Sequence, residues 1–214
     1  MANWCSTLAT VFQNLKEDMP DNTLALDKVY ATLATAWEQS EGDLYQMLSL
    51  LGADAETCDV GTVHSIKQIW SQNKKFKGIE MNIESKWNPP DIFLDKLVQA
   101  IIEMPKNELE WCHVYIADEP GNGIFVNTDG AHNFYTDVLG IDVQTDTYCD
   151  HIYFRYDEFD KAAEWILDNT GIKVSSFDDI ADKKDKIESA FEAQYAETDS
   201  ADNVYLFLEP YNIE

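Results

Sequence analysis

The chain has 214 residues, 45% of them hydrophobic and 12% aromatic. That excludes a disordered acidic tail, because such tails are poor in Trp, Tyr and Phe. Forty acidic residues face 15 basic ones for a formal charge of −25, which repels polyanions, excludes direct binding to nucleic acid or anionic membranes as a main role, and favours a basic partner.

The charge is uneven. Residues 1–109 carry 16 acidic and nine basic side chains, net −7, and residues 110–214 carry 24 and six, net −18. Four widely spaced cysteines, Cys5, Cys58, Cys112 and Cys149, include no Cys-x-x-Cys pair. Reduced thiols in a cytoplasm are therefore expected rather than a disulfide scaffold or a zinc ribbon. No basic region followed by an apolar run opens the chain, and no stretch reaches ~18 apolar residues, so neither an export signal nor a membrane span is expected.

Taken in order, Trp4, Leu8, Val11, Phe12 and Leu15 recur at helical spacing up to Pro20. A second helix is predicted from Asp21–Thr23, with Leu26, Val29, Tyr30, Leu33 and Trp37 inward and Gly42 breaking it. Leu44, Met47, Leu48 and Leu51 form a short helix ending at Gly52. Val63, Ile66, Ile69 and Trp70 suggest a fourth, capped by Thr62. Lys74, Lys75 and Lys77 then make a basic knot around Phe76. It reads as a solvated boundary, or as a dock for an acidic patch on a second copy of the chain, that is, a homodimer.

From Ile79 the pattern alternates. Ile79, Met81 and Ile83 predict a half-buried strand. A helix opens after Pro89-Pro90 and carries Phe93, Leu94, Leu97, Ile101 and Ile102, ending at Pro105. Trp111–Ala117 and Ile124–Val126 read as a hairpin around Gly121-Asn122-Gly123. A short helix is expected through Phe134–Leu139, a strand over Tyr148–Tyr156, two acidic helices, and a last strand over Val204–Leu208. The expected fold is α+β: a helical N-terminal part, residues 1–73, and an acidic domain, residues 78–214, with a mixed, largely antiparallel sheet covered by helices.

The segment from Tyr156 to Asp202 holds 14 acidic and five basic residues. In its second helix Ser176 is placed to cap the N-terminus, and Ile180, Ile187, Phe191 and Tyr195 form an apolar stripe. Asp178, Asp182, Asp185 and Glu192 fall opposite that stripe, spaced on the scale of nucleic-acid phosphates. Together with Glu188, and with Asp157, Glu158 and Glu164 of the first acidic helix, they are the expected partner-binding carboxylates.

Motifs for chemistry are weak. Cys112, His113, Cys149 and His151 are ligand types that zinc accepts, but Cys112 and His113 are adjacent on a strand and point to opposite faces, whereas Cys149 and His151 share one. A Cys149, His132 and Asp129 constellation is of a kind that arises by chance. Asp137, Asp142, Asp146 and Asp150 lack the ligand spacing of a calcium loop. No nucleophile elbow, phosphate loop or His-Glu-x-x-His helix is present. No enzyme, cofactor or metal site is expected.

The charge, size and mixed elements resemble those of acidic anti-defence proteins of phages and mobile elements, the antirestriction and anti-CRISPR class. His113-Val114-Tyr115-Ile116-Ala117-Asp118 is similar to the opening strand of ArdA-type antirestriction proteins. That resemblance implies an inhibitor in the host cytoplasm whose carboxylates stand in for phosphates in the nucleic-acid channel of a nuclease complex. The alternative is an immunity or antitoxin protein that neutralises a basic toxin; a broad carboxylate array favours the first, an aromatic-centred patch the second.

Overall fold

The computed structural model describes residues 3–13, 23–104, 110–119, 123–145, 147, 149–196 and 203–213. The chain divides into two compact units, residues 1–135 and residues 136–213. Each has a sheet and its own apolar core.

In the first unit the strands are β1 (Trp4–Gln13), β2 (Gly61–Trp70), β3 (Lys77–Lys86), β4 (Trp111–Glu119) and β5 (Ile124–Asn127), and the helices are α1 (Thr23–Gln39), α2 (Leu44–Leu50) and α3 (Asp91–Glu103). The strands lie in the order β2-β3-β1-β4-β5, and their pairings are antiparallel. Buried side chains of the three helices, among them Leu33, Met47 and Phe93, join Ala9, Val11, Met81 and Ile83 in one core. On the other face Phe12 packs with Phe134 and Tyr135. Asp129 shapes that cover, its Oδ2 accepting from the backbone N–H of Phe134 at 2.6 Å and of Tyr135 at 3.1 Å.

The chain begins with a strand, which corrects the expectation of a helical N-terminal part. In β1 the face toward the main core carries the small and β-branched Cys5, Thr7, Ala9 and Val11, two apart, while on the other face Trp4 and Leu8 are exposed and Thr10 and Phe12 are covered. The helical spacing of Trp4 and Leu8 is that of alternate positions on the outward face of a strand. The Val63 to Trp70 helix is likewise a strand, β2. Val63 pairs with Ile83 and Ile66 with Met81, and a bulge between Val63 and Ser65 takes up one residue. Two apolar residues three apart thus face the same side, imitating a helical period. Leu15 and Pro20 lie outside the described residues.

The basic knot connects β2 to β3 within one sheet. Ser71 N–H donates to Phe76 O at 2.9 Å, Phe76 stacks on Phe12, and Lys77 Nζ lies 4.8 Å from the centre of the Trp70 ring. Lys74 and Lys75 are exposed. The predictions for α1, α2, α3, β3 and the β4–β5 hairpin agree with the structure, although Pro105 and the turn at Gly121-Asn122 fall outside the described residues.

The second unit, with 19 acidic and six basic residues and a net charge of −13, contains β6 (Asp137–Thr145), β7 (Cys149–Arg155), α4 (Phe159–Thr170), α5 (Phe177–Asp182), α6 (Lys184–Ala196) and β8 (Val204–Pro210). Its antiparallel sheet has the order β7-β6-β8. The short helix expected through Phe134–Leu139 is absent: Leu139, Ile141 and Val143 alternate inward as part of β6 and pack with Ile166, Ile180, Ile187 and Phe191. No described helix is long and apolar enough to cross a membrane.

Candidate functional site

Helix α4 packs Ala162 and Ile166 against the sheet, with Phe159 and Trp165 alongside. It stops at Gly171, whose left-handed backbone (φ 70°) lets its N–H return to Leu167 O. With one face fixed inward, Asp160, Glu164 and Asp168, four residues apart, stand exposed as a single stripe. At 1.5 Å rise per residue the three carboxylates are about 6 Å apart and span about 12 Å. One strand of B-DNA carries a phosphate per ~3.4 Å of axis, so the stripe has roughly half that linear charge density.

Ser176 caps α5 as expected, its Oγ accepting from Asp179 N–H at 3.1 Å. Asp179 Oδ2 accepts from Lys183 Nζ and from Ser175 N–H, which hold its carboxyl below the usual range. Lys183 also donates to Lys173 O at 3.0 Å, and the helix breaks there before restarting as α6. Ile180, Ile187, Phe191 and Tyr195 do line the core. Their opposite numbers are divided: Asp178 and Asp182 on α5, Asp185 and Glu192 on α6. Asp178, Asp182 and Asp185 are exposed, and Glu192 is half-buried.

The remaining carboxylates named from the sequence are engaged within the unit. Glu158 meets Lys161 Nζ at 2.6 Å and Arg155 Nε at 3.3 Å, and these hydrogen bonds pull its carboxyl down to about 2. Asp157 lies 3.5 Å from the same guanidinium. Glu188 Oε1 accepts from Leu208 N–H at 2.7 Å, tying α6 to β8, and burial raises its pKa. By contrast, Asp160, Glu164, Asp168, Asp178, Asp182 and Asp185 form no ion pair with a described residue. Asp160 and Asp168 were not singled out from the sequence, although their four-residue spacing around Glu164 was readable.

The outward face of the second sheet is a different surface. Tyr153, Tyr205 and Phe207 are more than 40% exposed. Beside them Asp142 on β6 lies directly across from His151 on β7, with Cys149 two residues before it. Cys149 Sγ lies 3.2 Å from Asp142 Oδ1 and 3.7 Å from His151 Nε2, and His151 Nδ1 is 3.8 Å from Asp142 Oδ1. The hydrogen bond to Asp142, then desolvation and the nearby negative charges, push the Cys149 thiol up. Cys112 and His113 do face opposite ways: Cys112 packs with the Phe12 cluster, whereas His113 Nε2 is 3.0 Å from Asp95 Oδ1 on α3.

Compared with protein-family models and with curated proteins, the chain matches none.

Proposed function

We propose that this protein is an inhibitor of a basic, nucleic-acid-binding host protein, an anti-defence protein whose carboxylates occupy the channel of a nuclease complex. The observation that carries the reading is the set of exposed acids on α4, α5 and α6 that form no ion pair with a described residue, while Arg155, Lys161, Lys183 and Lys184 serve Asp157, Glu158, Asp179 and Glu188. Side chains of nuclease channels replace the counterions of a polyanion with Lys and Arg, so a rigid carboxylate array competes for the same charges. Holding the acids on helices avoids part of the ordering cost that a flexible acidic tail incurs. The likeness of His113 to Asp118 to ArdA-type strands belongs to the same reading.

The test is DNA cleavage by purified restriction and CRISPR nuclease complexes in the presence of the protein. Inhibition that excess substrate DNA relieves supports the proposal. Absence of inhibition across both classes, or inhibition insensitive to substrate DNA and to salt, rejects it.

One observation favours the second reading, neutralisation of a basic toxin: Tyr153, Tyr205 and Phe207 form an exposed aromatic patch beside acidic residues. Aromatic anchors concentrate binding energy in such interfaces. If that reading holds, Tyr205→Ser with Phe207→Ser abolishes partner binding and loss of the α4 stripe does not.

A further inference from the structure

We propose that the outward face of the β7-β6-β8 sheet binds a divalent metal ion of the zinc type, through Asp142 Oδ1, Cys149 Sγ and His151, with a fourth position open to solvent. The three ligand atoms lie within 4.8 Å of one another. Around a tetrahedral ion, with N and O at about 2.0 Å and S at about 2.3 Å, ligand atoms are about 3.3–3.5 Å apart. The separations of 3.2 Å from Sγ to Asp142 Oδ1 and 3.7 Å from Sγ to His151 Nε2 bracket that range; the 3.8 Å approach to Oδ1 is made by the other ring nitrogen, Nδ1, so with a single nitrogen as ligand the set lies within 4.8 Å and a turn of the exposed His151 ring closes it. Strand geometry supplies the arrangement: Cys149 and His151, two apart on β7, share a face, and the antiparallel register sets Asp142 opposite His151.

Two further features point to a cation. Gln144 Nε2 donates to Asp142 Oδ2 at 2.7 Å, which fixes the carboxylate and leaves Oδ1 toward Cys149 and His151, the job of an outer-shell partner. The Asp142 side chain is only 8% exposed, yet no described lysine or arginine pairs with it. The exposed His151 imidazole, 3.8 Å away, is a countercharge only when protonated, and a bound dication supplies a stronger one to a carboxylate that is costly to bury. The donor set also chooses the metal: calcium and magnesium take oxygen ligands, whereas a thiolate with an imidazole selects zinc-like ions. On binding, the Cys149 thiol releases its proton to solvent as the metal–sulfur bond forms, with no change of oxidation state.

The test uses Co2+ as the probe, titrated into the full chain with excess Mg2+ present to occupy unspecific carboxylates. The proposal expects saturation at one equivalent, a thiolate-to-cobalt charge-transfer band, the visible bands of a tetrahedral ion, and loss of both on adding Zn2+. Cys149→Ser removes the charge-transfer band, Cys58→Ser and Cys112→Ser keep it, and His151→Ala and Asp142→Asn weaken binding by about tenfold or more. His151 is exposed, so the comparison stands on H151A even if the buried D142N variant is unstable. No charge-transfer band in the unaltered chain, or a band that survives in C149S, overturns the site.

Discussion

The exposed stripe on α4 works against the helix that carries it, and this can be measured. Asp160–Glu164 and Glu164–Asp168 are two like-charge contacts at four-residue spacing, each destabilising by about 0.2–0.5 kcal/mol. Asp168 also lies in the last turn of α4, which has no basic residue. There a negative charge opposes the helix dipole at about 0.3–1 kcal/mol. Asp160 sits in the first turn, where the dipole favours it. The double variant Glu164→Gln, Asp168→Asn should therefore stabilise α4 by about 0.7–2 kcal/mol at low ionic strength, while Asp160→Asn should leave it nearly unchanged. Hydrogen exchange of the α4 backbone amides reads this locally: the double variant should exchange roughly 3- to 30-fold more slowly, with the gain shrinking as salt is added. Faster exchange in the double variant would refute the reasoning, because it would mean that these carboxylates are satisfied within the fold.

Two other perturbations test the structural roles assigned above. Glu158 has its pKa lowered in the fold from 4.5 to about 2, so its contribution is present above about 4.5 and is lost as pH falls toward about 2; acid titration of Glu158→Gln should show a shallower loss of stability across that window than the unaltered chain. Asp129→Ala leaves the buried N–H groups of Phe134 and Tyr135 without their acceptor and should cost about 2–5 kcal/mol in urea unfolding, whereas Thr32→Ala on the exposed side of α1 should cost under about 0.5 kcal/mol.

Much of the fold was legible wherever period and punctuation agreed. Helix α1 with its inward Leu26, Val29 and Leu33, α3 behind its two prolines, and the alternation of Ile79, Met81 and Ile83 were all read correctly. Each departure has its own physical cause. In β1 the core-facing side is built of Cys5, Thr7 and Ala9, which a hydrophobic scan underweights, while Trp4 and Leu8 face outward. In β2 the bulge adds one residue between Val63 and Ile66, so the spacing carried a helical period that the backbone did not have. At the acidic site, the Ser176 cap and the buried stripe were visible, but the break at Lys183 was not, because it depends on Lys183 reaching Asp179 and the carbonyl of Lys173. Nor could the sequence separate carboxylates that hold the unit together, Glu158 and Glu188, from those left facing solvent. Cys149 and His151 were seen to share a face; Asp142 joins them only through the β6–β7 register.

The central claim is that position, and not net charge alone, makes the carboxylates of the second unit a binding surface. It is tested most directly by affinity for a nuclease complex found inhibited in the cleavage assay proposed above, measured for two variants of equal charge. Asp160→Asn, Glu164→Gln, Asp168→Asn removes the α4 stripe; Glu38→Gln, Glu41→Gln, Glu56→Gln removes three exposed acids of the first unit. With about 0.5–1 kcal/mol per lost charge contact, the first variant should bind about tenfold or more weakly and the second within about threefold of the unaltered chain. Equal losses in the two variants would contradict the account.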